Sequence, residues 1–234
     1  MQESDDDFFI IGHRGVAGER FENSLDGFTH ALTLDIDAIE LDIREHNGTL
    51  WVFHDHETER LTGQPGLFAS QIDIGTIKLN NGEPVPSLKQ VLDLYWGKMP
   101  INIEIKFIVN PGLLLNLLAQ YPTLQASTGL PWILISSFNH QNILELKQLG
   151  CRWPLALLST GIPIHVDHVI NDIAPYSWHF NDEYVDFDFI AQLGRKKVRS
   201  LVFTVDNVDR ARLLRKHGVA GIITNFPAEM SLIN

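Results

Sequence analysis

Short apolar runs rich in β-branched residues recur along the chain, and segments with helical spacing lie between most of them. Such alternation is typical of a parallel sheet covered by helices. The predicted strands are residues 8–12, 38–43, 101–105, 132–136, 154–158, 176–180, 201–205 and 221–224. Eight parallel strands with intervening helices close a TIM-type (β/α)8 barrel, so we expect this α/β fold.

The helical spacing is found in six segments between these strands. The predicted helices are residues 25–34, 88–95, 111–119, 141–149, 184–196 and 208–217. Gly218 directly follows the last helix and is predicted to be its C-cap, a position that favours glycine. No helix is predicted between residues 162 and 175.

A β-hairpin signal interrupts the alternation after the second strand. Asn47-Gly48 lies between two apolar runs, and this dipeptide is the strongest short-range signal for a hairpin. We therefore expect residues 50–53 to run antiparallel to the second barrel strand. This pairing would bring His54 back to about the level of Glu40.

Residues 55–86 are rich in glycine and proline and show no strand or helix repeat. We predict that they form an insertion over one mouth of the barrel, where such segments usually shape access to a substrate. The length of 234 residues suits one barrel, so we expect a single domain over residues 1–234.

The amino-acid composition limits the kinds of molecule that this protein is expected to bind. The chain has 18 Lys+Arg and 29 Asp+Glu, a formal charge of −11, and 44% hydrophobic residues. The apolar fraction excludes a disordered chain. The negative charge disfavours binding to nucleic acid or to anionic membrane surfaces, so an anionic small substrate would need a few local cations.

Other features bear on location. Cys151 is the single cysteine, so no intrachain disulfide can form. The chain begins with acidic residues where a signal peptide would be basic and then apolar. No apolar run approaches the ~20 residues that span a bilayer. We expect a cytoplasmic protein without stable membrane insertion, and the oligomeric state stays open, a homo-oligomer included.

Two acidic residues lie on one face of the second predicted strand. Strand side chains alternate between faces, so Glu40 and Asp42 project to the same side. Their apolar neighbours would face the helices, which points both carboxylates into the barrel. Adjacent carboxylates repel in a low-dielectric interior unless a proton or a cation lies between them. We favour a metal-binding pair over a solvated edge strand, because a closed barrel has no free edge.

The third barrel strand repeats the pattern with Asn102, Glu104 and Lys106 on one face. Sequential strands usually pair, so Glu104 can join Glu40 and Asp42 as a third oxygen ligand. Carboxylate oxygens without a cysteine suit a hard divalent cation such as Mg²⁺ or Ca²⁺. A simple salt bridge from Lys106 is the alternative, but one lysine cannot neutralise three acids.

Two histidines complete the candidate chemistry. His13 follows the first predicted strand, and the hairpin would carry His54 to the same site. Each histidine alone would be unremarkable, since histidines often end buried strands. Two imidazoles beside a metal-bound group can serve as general base and general acid near neutral pH.

The chain resembles the glycerophosphodiester phosphodiesterase family, which belongs to the PLC-like phosphodiesterase barrel superfamily. The resemblance depends on the order and spacing of short motifs from about residue 9 to residue 227. The motifs are His13-Arg14-Gly15, Glu22-Asn23-Ser24, Glu40-Leu41-Asp42, His54-Asp55, Val85-Pro86-Ser87-Leu88, Glu104-Ile105-Lys106, Ser136-Ser137-Phe138, Phe203-Thr204-Val205-Asp206 and Gly221-Ile222-Ile223-Thr224.

This resemblance implies a hydrolase that uses a divalent cation to split a small-molecule glycerophosphodiester into sn-glycerol 3-phosphate and an alcohol. It also implies roles for eight residues: His13 and His54 as the acid/base pair, Glu40, Asp42 and Glu104 as metal ligands, Arg14 and Lys106 on the phosphate, and Glu22 close to the metal.

The chain departs from the family pattern at four positions. Phe21 replaces proline, Ser24 replaces threonine, Phe203 replaces a usual tryptophan, and Asn225 replaces a frequent aspartate. None of these changes falls on an implied catalytic or metal-binding residue. Phe203 lacks the indole N–H that could contact the glycerol or leaving group, so substrate preference stays open.

Two other functions are retained as alternatives. The barrel could act on a lysophospholipid or a phosphoinositide-type diester, with an apolar lid formed by Leu67, Phe68 and Ile72. It could also be a catalytically silent barrel that binds glycerol phosphates. The second alternative is disfavoured, because unpaired buried carboxylates destabilise a fold that binds no ion.

Overall fold

Eight parallel strands close into a barrel, and a ninth strand is hydrogen-bonded to its outside. The computed structural model describes residues 8–71, 73–124 and 129–233. The strands are β1 (Phe9–Gly12), β2 (Ala38–His46), β3 (Thr49–Val52), β4 (Ile101–Phe107), β5 (Ile133–Ser137), β6 (Leu155–Ser159), β7 (Ser177–Asn181), β8 (Arg199–Phe203) and β9 (Gly221–Thr224). Pairing of β1 with both β2 and β9 closes the ring, which confirms the predicted TIM barrel.

Helices connect the barrel strands and cover the outside of the barrel. They are α1 (Leu25–Ala31), α2 (Glu59–Thr62), α3 (Leu88–Tyr95), α4 (Pro111–Leu118), α5 (His140–Gln148), α6 (Val166–Ile173), α7 (Phe187–Arg195), α8 (Val208–Lys216) and α9 (Pro227–Met230). Polar caps fix several helix starts; Ser87, for example, forms a capping box with Gln90. Within the described residues, no helix combines the length and apolar character needed to cross a membrane.

Alternation along the strands separates the core from the site. The outward apolar residues of β2 and β4 lie in one buried cluster with Phe28 of α1 and Leu92 of α3: Ile39, Leu41, Ile43, Ile101, Ile103 and Ile105. The residues between them therefore point into the barrel. In the parallel register, Glu40 pairs with Asn102 and Asp42 pairs with Glu104.

The hairpin forms as its dipeptide predicts. β3 pairs antiparallel with β2, with Ile43 opposite Val52. Asn47 and Gly48 have φ values of 49° and 70°, the left-handed conformation that a type I′ turn requires at both central positions. The strand register places residue 54 opposite residue 41, within one residue of the predicted level.

The predicted strands all exist, and their bounds differ by two residues or fewer except at the end of β2, which continues into the hairpin. The predicted helix 25–34 ends at Ala31. α6 was not predicted at all. It has no side-chain N-cap and ends at Ala174 in a left-handed conformation, so the usual sequence signals for helix ends are missing.

The insertion has a small core of its own. Its buried residues are Phe53, Leu61, Phe68, Ile74, Ile77, Leu79 and Val85. The rings of Phe68 and Phe53 lie 4.9 Å apart, so Phe68 is a core residue, and its predicted place in an apolar lid is wrong. Leu67 is exposed, and Ile72 lies outside the described residues. The single-domain bounds stay a prediction.

The end of β1 offers a stability test. A methyl group at Gly12 would collide with the carbonyl oxygen of Gly15, whereas Gly194 in α7 has open space around it. We expect Gly12→Ala to lower the free energy of unfolding by about 1–3 kcal/mol and to displace the His13 backbone. Gly194→Ala is the control and should raise this free energy by up to about 1 kcal/mol. Thermal unfolding measures both, and equal effects would contradict the packing argument.

Candidate active site

Three carboxylates meet inside the barrel near the carboxyl ends of β2 and β4. Glu40, Asp42 and Glu104 are only 2%, 1% and 6% exposed. A carboxylate oxygen from each lies within 4.8 Å of the others. The structure therefore brings together the three acids that alternation places on one face of each strand.

Each of these side chains keeps one fully buried oxygen. Glu40 Oε1 accepts no hydrogen bond, whereas Asp42 Oδ1 and Glu104 Oε1 both face the ammonium group of Lys106. Burial, followed by repulsion from its two acidic neighbours, raises the pKa of Glu40 well above its usual value. Burial and the Asp42 charge raise the pKa of Glu104 to about 7. Burial opposes ionisation of Asp42 too, but Lys106 and Arg14 outweigh it and lower its pKa.

This donor set fits a divalent cation. A cation between the carboxylates would coordinate Glu40 Oε1, which lacks a donor, and would remove the mutual repulsion. All three donors are oxygens, and no sulfur donor belongs to the cluster, which is the chemistry that hard cations prefer. The three side chains thus form a candidate metal centre.

Two cations border the acids. The backbone N–H of Arg14 donates to Glu40 Oε2 at 2.9 Å, and Arg14 Nε lies 3.4 Å from Asp42 Oδ2. Lys106 Nζ lies 3.4 Å from Asp42 Oδ1 and contacts Glu104 Oε1. Both cationic side chains are 16% exposed, so a bound anion can still reach them.

Asn23 is a site residue to which the sequence analysis assigned no role. Its amide nitrogen donates to Asp42 Oδ2 at 2.9 Å, and Asp42 N donates to Asn23 Oδ1 at 3.4 Å. Asn23 has a φ of 51°, a left-handed conformation that asparagine tolerates. The side chain of Asn23 fixes the orientation of Asp42. The motif Glu22-Asn23-Ser24 was the feature of the sequence that could have indicated a role for Asn23.

His54 is held through both its ring and its backbone. Its Nδ1 lies 2.7 Å from Asp55 Oδ1, and its carbonyl oxygen accepts two hydrogen bonds from the Arg44 guanidinium, at 2.8 and 3.1 Å. Burial lowers the pKa of His54, although the Asp42 and Asp55 carboxylates oppose this effect. No sequence pattern pointed to Arg44.

An ion-pair chain joins His54 to Arg14. Arg60, from α2 of the insertion, donates to both oxygens of Asp55 and both oxygens of Glu22. Glu22 Oε1 in turn accepts from Arg14 at 2.7 Å. Glu22 therefore contacts Arg14 and Arg60 rather than the acidic cluster. Arg60 was not predicted, because it is separated from Glu22 by 38 residues.

His13 has a different type of partner. Its Nδ1 lies 2.7 Å from the amide oxygen of Asn225, and its backbone N–H donates to the carbonyl of Thr224 at 2.7 Å. Burial lowers the pKa of His13 to about 4, and the Arg14 charge adds to this effect. Both His13 and His54 lie close enough to Asp42 to contribute to its lowered pKa.

Comparisons with known proteins identify the family of this chain. The model of the glycerophosphoryl diester phosphodiesterase family matches residues 13–229. The chain belongs to this family. A glycerophosphodiester phosphodiesterase of Caldanaerobacter subterraneus is 31% identical, with 96% of each chain covered, and one of Bacillus altitudinis is 28% identical, with 93% of this chain and 94% of the other covered.

A solved structure supports the fold of this family member. The phosphodiesterase of Oleispira antarctica, solved in complex with the product sn-glycerol-3-phosphate, has a TM-score of 0.88 with this chain. It is 20% identical in sequence, and the match covers 97% of this chain and 96% of the other. At this identity the likeness shows a shared barrel.

The repulsion in the acidic cluster gives a test of the metal centre. In metal-free protein, we expect Glu40→Gln to raise the melting temperature above neutral pH, because it removes a buried charge but keeps an acceptor for Arg14 N. Added Mg²⁺ or Ca²⁺ should stabilise the wild type and have little effect on the variant.

The sign of the pH dependence follows from the raised pKa of Glu40. Because the fold disfavours ionised Glu40, the wild type loses stability as the pH rises above 4.5, where this residue ionises in the unfolded chain. Below 4.5 Glu40 is protonated in both states, and the penalty disappears. The advantage of glutamine should therefore vanish at pH values below 4.5. Exposed Glu145 provides the control variant Glu145→Gln. A metal-free Glu40→Gln protein that is less stable than the wild type at pH 8 would contradict the proposed repulsion.

Proposed function

We propose that this protein hydrolyses glycerophosphodiesters to sn-glycerol 3-phosphate and an alcohol, with Mg²⁺ or Ca²⁺ as its cofactor. The observation that carries the proposal is the buried cluster of Glu40, Asp42 and Glu104, bordered by two histidines and two cationic side chains. Membership of the family supports the reaction class. The product in the Oleispira antarctica structure supports the glycerol phosphate half of the substrate.

Glu40, Asp42 and Glu104 would hold the divalent cation. When bound, the cation supplies Lewis-acid stabilisation for negative charge on the phosphate. Arg14 and Lys106 bind the non-bridging phosphate oxygens, where charge grows during the reaction. Glu22 orients Arg14 through their 2.7 Å hydrogen bond.

His13 and His54 carry the proton transfers. One histidine removes a proton from the nucleophile, which is either water or the neighbouring hydroxyl of the glycerol moiety. The hydroxyl route gives a cyclic phosphate, and water then opens this ring to give glycerol 3-phosphate. The other histidine protonates the leaving alkoxide as its bond to phosphorus breaks. Without that proton the alkoxide is a poor leaving group, and general acid or base help is worth ~10²–10⁴-fold in rate.

A monoacylated glycerophosphodiester is a second candidate substrate. Three exposed apolar residues lie at the carboxyl ends of two neighbouring strands: Phe107 at the end of β4, Val109 just after it, and Phe138 directly after β5. Phe138 also lies beneath Lys106, whose Nζ is 5.4 Å from the ring centroid. An apolar surface this close to a phosphate-binding lysine could contact an acyl chain.

A coupled assay for glycerol 3-phosphate tests the proposed function. We expect release from at least one of glycerophosphocholine, glycerophosphoethanolamine and glycerophosphoglycerol, loss of activity with a chelator, and recovery with Mg²⁺ or Ca²⁺. Monoacyl glycerophosphocholine, assayed for choline release, tests the second candidate. Tight binding of glycerol 3-phosphate without hydrolysis of any diester would instead indicate the catalytically silent barrel.

Variants of the two histidines test the proton transfers. We expect His13→Ala and His54→Ala each to lower kcat by at least ~10²-fold, while the melting temperature and its increase with added metal stay close to those of the wild type. Exposed His56 lies two residues from His54, and His56→Ala is the matched control that should keep full activity. Near wild-type turnover in either active-site variant would refute that histidine's role.

A further inference from the structure

Asp206 lies behind the partner of His13, outside the acidic cluster. Asn225 Oδ1 faces His13 Nδ1, and Asn225 Nδ2 donates to Asp206 Oδ2 at 2.7 Å. The other oxygen of Asp206 accepts from Asn225 N at 2.8 Å and from Thr224 Oγ1 at 3.0 Å. Asp206 thus fixes both the backbone and the side chain of Asn225.

This arrangement determines which way the Asn225 amide points. A carboxylate accepts hydrogen bonds and does not donate them, so the amide NH₂ group must face Asp206. The amide oxygen then faces His13 and can only accept, which requires a proton on His13 Nδ1. In the neutral ring, Nε2 is consequently the nitrogen with the free lone pair.

We propose that Asp206 and Asn225 are positioning residues that fix the orientation and the Nδ1–H tautomer of His13, with Asp206 acting through Asn225. The tautomer is a property of the folded protein, whereas its effect on turnover rests on the proposed function. Neither residue has a role among the assignments that the family resemblance implies. The resemblance instead counts Asn225 as a departure, since an aspartate is frequent there.

The surroundings of His13 suit a neutral partner. Arg14 and Lys106 disfavour a charged imidazole, Asp42 favours one, and burial disfavours it most strongly. An amide oxygen accepts from the ring without drawing a second proton onto it, as an adjacent carboxylate would. The carboxylate of Asp206 stays on the exposed side of Asn225, where its charge needs little compensation.

The backbone supports the same alignment. Gly12 pairs with Thr224 between β1 and β9, and His13 N donates to the Thr224 carbonyl at 2.7 Å. His13 and Asn225 directly follow these paired residues, so the backbone of β1 and β9 keeps the two at a constant separation. The tautomer then depends on the amide orientation, which Asp206 controls.

The first test compares a single variant of Asp206 with a double variant in which the two side chains are exchanged. In Asp206→Asn, residue 206 can donate as well as accept, so the Asn225 amide can turn and the tautomer is no longer fixed. We expect kcat to fall by about tenfold or more, since loss of the correct tautomer removes general acid/base help worth ~10²–10⁴-fold. The metal-induced increase in melting temperature should not change.

The double variant Asp206→Asn/Asn225→Asp places a carboxylate directly beside His13 and should recover most of the lost kcat. It should also move the limb of the pH–rate profile that His13 controls to higher pH, because the carboxylate raises the pKa of His13. If Asp206 were important only for stability, the double variant would be as impaired as Asp206→Asn. Asp209→Asn, at an exposed position in α8, is the control.

The second test does not require activity. Nitrogen-15 spectra of histidine-labelled protein, with the His13 signal assigned through His13→Gln, should show Nδ1–H in the wild type and a tautomer mixture in Asp206→Asn. An Nε2–H ring in the wild type, or an unchanged tautomer in Asp206→Asn, would overturn the proposal. If the wild type hydrolyses no diester, the proposed function fails. The spectra still decide whether Asp206 and Asn225 fix the tautomer of His13.

Discussion

Three carboxylates buried within 4.8 Å of one another are the constraint on which the rest of the site depends. Such a cluster is unstable without nearby positive charge, because desolvation and repulsion both oppose ionisation. The fold nevertheless enforces it: Asp42 and Glu104 are paired in the β2–β4 register, and their apolar neighbours are committed to the core. The neighbouring residues can be understood as responses to this charge. A divalent cation would supply the positive charge that is still missing and would coordinate Glu40 Oε1, which accepts no hydrogen bond.

The cationic side chains near the cluster neutralise only part of its negative charge. Arg14 and Lys106 lower the pKa of Asp42, yet Glu40 and Glu104 keep raised pKa values. Two monovalent side chains therefore leave the cluster short of positive charge while remaining partly exposed toward the mouth. The same deficit favours capture of a cation, and the same exposure lets the guanidinium and ammonium groups contact a phosphate. The proposed binding of the substrate phosphate would therefore have the same physical origin as the charge balance of the cluster.

The sequence predicted the parts of the site that follow from local periodicity. Alternation along β2 and β4 placed the acids on one face, and the Asn47-Gly48 turn fixed the register that returns the chain to His54. The sequence could not predict the contact between Arg60 and Glu22, because ion pairs between distant loops leave no periodic signal. α6 was missed because no Ser, Thr, Asp or Asn caps its start; its N-cap residue is His165, whose side chain makes no capping hydrogen bond. Phe68 was misassigned because hydrophobicity alone does not separate a lid from a small core. The catalytic roles themselves stay predictions.

The two histidines show how one barrel can give the same side chain two environments. His54 pairs with Asp55, which Arg60 binds in turn, so its partner is charged and belongs to a network that reaches Arg14. His13 pairs with the amide of Asn225, which directly follows β9. Asp206, in the loop after β8, sets the orientation of this amide. A carboxylate beside an imidazole favours the protonated ring, whereas an amide oxygen fixes a tautomer with a smaller effect on its charge. In the proposed mechanism one of these histidines removes a proton and the other donates one, and their different partners would separate the two roles.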